Sequence, residues 1–106
     1  MTKSKPLFPE ASRPPGPSKS ETALDADANS HEVTVELIDK PTMPTDASLS
    51  VTFETPAGWS ERVSLDEVSE TTVEIPPGDF LRAAATAEGI TEDQRIRYKA
   101  TLTETD

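Results

Sequence analysis

A chain of 106 residues with 20 acidic against 10 basic side chains carries a formal charge of −10, which argues against nonspecific binding to nucleic acid or to an anionic membrane, since both require a basic surface. The absence of cysteine removes disulfides, thiolate metal sites and thiol nucleophiles, and no apolar run is long enough for a transmembrane helix. With 33% hydrophobic residues and only three Phe, one Trp and one Tyr, one small domain with a thin core is expected.

Scarce lysine, abundant threonine and the acid excess together match the composition of proteins from salt-adapted cells or their viruses, in which molar salt screens the self-repulsion of an acidic surface. No apolar stretch follows Lys3 and Lys5, so no secretory signal is read. The product is expected to be cytoplasmic or part of a virion.

Residues 1–20 read as an arm. Five of the ten prolines fall there, at positions 6, 9, 14, 15 and 17, and no periodicity survives among them. The local charge is the reverse of the whole: Lys3, Lys5, Arg13 and Lys19 stand against Glu10 alone. A basic arm on an acidic body is suited to docking on a neighbouring copy, with Leu7 and Phe8 as an apolar anchor and the Arg13, Pro14, Pro15, Pro17 segment as a stiff, extended stretch. Some twenty residues at ~3.1 Å each would reach roughly 60 Å.

Residues 21–31 form an acidic linker, which places the boundary between an arm-and-linker segment, 1–30, extended or disordered alone, and a β-rich domain, 31–106. His31, the only histidine, falls at the end of this linker, where solvation is expected. Asp25, Asp27 and Asn29 resemble the first, third and fifth ligands of the calcium-binding helix-loop-helix family, with Glu36 in place of its last ligand. Ser30 replaces the required glycine and neither flank is helical, so the stretch is read as a plain linker with no metal.

Val33, Val35 and Leu37 alternate with Glu32, Thr34 and Glu36 as one strand, and Pro41, Pro44 and Asp46 mark a loop. Residues 49–65 are the strongest signal in the chain: Leu49, Val51 and Phe53 alternate with polar residues, Pro56-Ala57-Gly58 turns, and alternation resumes through Trp59, Val63 and Leu65. This hairpin is expected to supply much of the core. A short strand follows through Thr71, Val73 and Ile75, and the prolines at its end point to a sheet edge.

Asp79 as N-cap, the alanine-rich run 80–87 and Gly89 as the terminating residue predict one short helix, with Phe80, Ala84 and Ala87 on a shared face. The last strand, 95–103, turns Ile96, Tyr98, Ala100 and Leu102 one way and Arg95, Arg97, Lys99 and Thr101 the other. Glu32 and Glu36 are the expected partners of its cations.

The expected fold is mainly β, of the α+β kind: a small antiparallel or mixed sheet or sandwich of about five strands with one short helix, preceded by the extended arm. No motif for catalysis, phosphate binding or a cofactor is present. The function expected is therefore that of a noncatalytic structural or assembly subunit, docking on other protein subunits through the arm. A virion accessory or connector protein of a halophilic host is its most concrete form. The alternative is a free protein-binding or regulatory module with a disordered tail. In the first reading, deleting residues 1–20 leaves a folded domain.

Overall fold

The computed structural model describes residues 2–40 and 47–105; the expected Pro41, Pro44 and Asp46 loop lies outside them. Eight strands follow one another: β1 (Thr2–Arg13), β2 (Ser18–Ala23), β3 (Ser30–Asp39), β4 (Ser48–Glu54), β5 (Ser60–Leu65), β6 (Glu70–Ile75), β7 (Phe80–Glu88) and β8 (Ile96–Thr105). They form two four-stranded antiparallel sheets with orders β1-β8-β3-β6 and β2-β7-β4-β5. No helix occurs among the described residues.

The pairing has a simple rule. The first strand pairs with the last, the second with the seventh, the third with the sixth and the fourth with the fifth. This is one long hairpin rolled up on itself, the jelly-roll way of making a sandwich from two Greek keys. Its tip is the hairpin read from residues 49–65, with Leu49 opposite Leu65 and Val51 opposite Val63. The turn closes through the Thr55 N–H donating to the Trp59 carbonyl at 3.0 Å and the Gly58 N–H to the Thr55 carbonyl at 3.1 Å. Gly58 sits at φ 95°, a conformation that side chains with a Cβ rarely adopt.

β3, β4, β5, β6 and β8 lie where alternation placed them, with Val33, Val35, Leu37, Val51, Phe53, Ile96, Tyr98 and Leu102 buried between the sheets. β6 is a sheet edge, as its flanking prolines indicated. Glu36 stands opposite Lys99 at 3.5 Å. Arg97 instead reaches Glu10 on β1 at 2.5 Å, and Glu32 faces Thr103.

Two expectations are corrected. Residues 80–88 are strand β7, not a helix. Leu81, Ala83, Ala85 and Ala87 point inward in strict alternation, with β2 on one side and β4 on the other. A nine-residue segment is too short for helix propensity alone to hold, and pairing on both sides outweighs the alanine preference. Gly89 does take a positive φ, 77°, but it ends a strand.

The second correction concerns the arm. Residues 2–23 supply β1 and β2, one edge strand for each sheet. Pro6 and Pro9 are tolerated because an edge strand has one side free of ladder bonds, and register shifts between Pro6 and Phe8 and between Phe8 and Ala11 break up the alternation. β2, Ser-Lys-Ser-Glu-Thr-Ala, has no large apolar residue and is a strand because β7 pairs with it. At the turn between them Gly16 has φ 93°, and a Cβ there would stand 2.9 Å from the Ala85 carbonyl oxygen.

Candidate functional site

The inward row of β8, Ile96, Tyr98, Ala100 and Leu102, ends on Glu104, and the inward row of β3, Val33, Val35 and Leu37, begins on His31. The register sets these two polar residues directly opposite each other, and both are buried, Glu104 to 1% and His31 to 5% exposure. Burial of a carboxylate demands donors. Glu104 Oε2 accepts the Asp25 backbone N–H at 2.5 Å and lies 3.3 Å from His31 Nε2. That nitrogen is also 2.9 Å from the Asp25 carbonyl oxygen. Both neighbours of Nε2 are acceptors, so Nε2 carries the proton. Oε1 receives no well-directed hydrogen bond, and the Lys5 ammonium at 3.2 Å compensates its charge.

Around this pair the β2–β3 loop is drawn in. Asp25 Oδ1 accepts the Asp27 N–H at 2.9 Å and Oδ2 meets Lys3 at 3.4 Å. The Asp27 bond first, then the Lys3 contact, hold the Asp25 carboxyl below its usual range. The cluster ties β1, the β2–β3 loop, β3 and β8 together. An imidazole and a carboxylate shut from solvent cannot meet a substrate, so the pair acts as a clasp. His31, expected to be solvated, is thereby corrected. Glu104 was missed, although the alternation of β8 runs on to it.

The expected anchor residues lie elsewhere. Leu7 and Phe8 are buried in this chain's own core, at 3% exposure each. Phe8 meets Tyr98 edge-on at 5.8 Å. The Arg13 guanidinium lies over both rings, 5.5 Å from Phe8 and 4.8 Å from Tyr98, and donates to the Pro9 and Tyr98 carbonyls. Pro14 and Pro17 are exposed at the β1–β2 turn, where the Pro15 carbonyl accepts the Ala87 N–H at 2.8 Å. Asp25, Asp27 and Asn29 do not gather with Glu36, which belongs to β3, and no metal-binding group of three or more acidic or histidine side chains occurs among the described residues.

The two lateral margins of the sandwich differ. On the β1–β2 side the sheets are stitched by Ser20 Oγ donating to the Leu7 carbonyl at 2.6 Å and Lys5 Nζ to the Ala23 carbonyl at 3.1 Å. On the β5–β6 side a groove of about 620 Å³ opens, lined by Trp59, Glu61, Val63, Leu65, Val73 and Glu74 among others. The inward residues there are less shielded than those of the central strands, with Val63 at 9% and Val73 at 8% against 0% for Val33 and Val35. Val68, in the turn joining β5 to β6, is 61% exposed. Trp59 packs partly buried against the core at this margin instead of at its centre.

The outward row of β6 is acidic and faces acids. Glu74 stands opposite Glu32 and Glu70 opposite Glu36, with the Thr34 and Thr72 hydroxyls 3.0 Å apart between them. Like charges set directly across a ladder are unfavourable. A second hollow, on the outer face of the other sheet, is lined by Lys19, Glu21, Thr52, Glu54, Arg82 and Ala84. Its arginine is already satisfied, pairing with Glu21 at 2.9 Å and lying over Phe80.

No protein-family model matches the chain, and no curated protein matches it by sequence. Among solved structures it is similar to tripeptidyl peptidase 2, at 13% identity and a TM-score of 0.57 over 97% of this chain and 10% of that one. It is similar also to a chain from the disulfide-linked pili of Bacillus endospore appendages, with 10% identity, a TM-score of 0.45, and 99% and 88% covered. A third is a chain of accessory secretory protein 1, 2 and 3 from Streptococcus pneumoniae, with 14% identity, a TM-score of 0.48, and 99% and 80% covered. The likeness to the peptidase is one of fold, and this chain spans about a tenth of its length; the other two are looser. No helix among the described residues is long and apolar enough to cross a membrane.

Proposed function

We propose that this chain is a noncatalytic subunit of a larger protein assembly, with a virion accessory or connector protein of a halophilic host as its concrete form. The observation that carries the reading is the inequality of the two sandwich margins. One is closed by hydrogen bonds, prolines and bulges, the devices that keep sheet edges from pairing. The other leaves a groove with Trp59, Val63, Leu65 and Val73 along it and Val68 exposed beside it. A groove open to solvent at one margin, with Val68 61% exposed in the adjoining turn, supports a protein contact there. With residues 2–23 taken up by the sheets, docking moves from the N-terminal segment to β5 and β6. Rolled eight-strand sandwiches serve in capsids and lectins, which supports the reading by analogy of fold alone.

The test is the mass of the native complex, by light scattering on material from its own source held in molar salt. A mass far above 11.4 kDa is expected. A monomer would overturn the assembly reading in favour of a free protein-binding module.

A further inference from the structure

We infer that the β5–β6 groove receives an extended segment of a partner protein, added as a strand beside β6, in which Lys or Arg alternates with apolar residues. The inference deepens the protein-binding part of the reading above and rests on it.

Of the two strands flanking the groove, β6 is the one open to extension. β5 carries Glu61 in its inward row, opposite Phe53 of β4, and an inward-pointing charge is one of the ways an edge strand resists pairing. β6 turns Thr71, Val73 and Ile75 inward, has no proline within it and pairs with β3 without a register shift. A strand laid beside it presents alternate side chains to two surroundings. One set enters the groove, where Val73, Val63, Leu65 and Trp59 line it together with Glu61. The other set lies over Glu70, Thr72 and Glu74.

Charge selects the second set. Glu70 and Glu74 have only Glu36 and Glu32 opposite them, and the cation near that row, Lys99, is on β8 beyond β3. Arg62, the one basic residue lining the groove, is turned to Ser50 at 3.0 Å and Glu88 at 3.4 Å on the outer face of its own sheet. Pairing of β6 with β6 of a second copy would bring more acid against this row. A basic segment relieves it.

The chain contains its own template for such a segment. Arg95-Ile96-Arg97-Tyr98-Lys99-Ala100 alternates in this way, and its β8 part lies on the other side of β3, apolar residues inward and Lys99 against Glu36.

The test uses the full chain and a synthetic peptide of the sequence Arg-Ile-Arg-Tyr-Lys-Ala, read by the fluorescence of Trp59, the single tryptophan, and by amide hydrogen exchange in residues 70–75. A saturable Trp59 response with slowed exchange in β6 is expected. Binding should weaken about tenfold or more when glutamates replace the peptide's cations, or in the Glu70→Lys, Glu74→Lys double variant. That variant removes the repulsion from Glu32 and Glu36, so it is expected to fold at least as well as the parent, and lost binding cannot be put down to unfolding. Equal response to the acidic peptide, an unchanged response in the variant, or exchange slowed elsewhere would overturn the inference. A large native complex with no peptide response would overturn it while leaving the assembly reading intact. A native monomer that binds the peptide through β6 would do the reverse.

Discussion

His31 and Glu104 close one end of the sandwich by facing each other across β3 and β8, 3.3 Å apart, where an apolar pair would continue the core. The pair is built from rows that alternate without a break, so its position follows from the register of two central strands.

Removing the carboxylate leaves the Asp25 N–H without its acceptor, while the His31 N–H keeps only the Asp25 carbonyl oxygen. Glu104→Ala is expected to cost about 1–3 kcal/mol, the range for leaving a buried polar group without its partner. Chemical denaturation checks it. A loss below about 1 kcal/mol, the scale of an exposed pair, would show that the cluster does not act as a clasp.

Leu7 and Phe8 belong to the core, so deletion of residues 1–20 should abolish cooperative unfolding. This is the opposite of what a dispensable arm would give. Phe8→Ala alone should cost about 3–5 kcal/mol through the cavity and the lost contact with Tyr98. A truncated chain that keeps dispersed amide NMR signals and a sharp thermal transition would refute the placement of β1.

Glu74 and Glu32 repel across an exposed ladder. Glu74→Lys should stabilise the fold by about 0.2–1 kcal/mol at low ionic strength, with the gain shrinking as salt screens both arrangements. Thermal melts of both proteins across a salt series provide the check, and a destabilised variant at low salt would contradict the register.

Arg97 holds the Glu10 carboxyl below its ordinary value of 4.5, first by a hydrogen bond and then by its charge. A depressed folded-state value contributes stability above the unfolded value, and the contribution is lost as the pH falls through the folded one. In Arg97→Gln the Glu10 titration seen by NMR should move up toward 4.5. The stability gap between parent and variant should be full near neutrality and close in acid. A Glu10 titration unmoved by the substitution would show that the contact does not form in solution.

Much of the fold can be read along the chain, because a strand with one face buried writes its period of two into the sequence. Val33, Val35 and Leu37, the hairpin from Leu49 to Leu65, Val73 and Ile75, and Ile96 to Leu102 all carry it. So does the Glu36 to Lys99 pairing. The clasp was within reach in the same rows, since His31 and Glu104 extend them by one step at each end. An acid and an imidazole break the apolar pattern by which such rows are recognised.

What the tertiary structure alone decided is the pairing that gives β1, β2 and β7 their form. Pro6, Pro9 and the bulges beside Phe8 erase the alternation of β1, and only its place at an edge makes them tolerable. β2 has no large apolar residue to reveal it. The alanines of β7 prefer a helix by a few tenths of a kcal/mol each at most, less than the ladders with β2 and β4 supply. Composition and local period thus determine the acidic charge and the strands that bury one face. Lateral hydrogen bonding, which joins residues far apart in the chain, turns a basic leader and an alanine-rich run into sheet and leaves a groove at the β5–β6 margin.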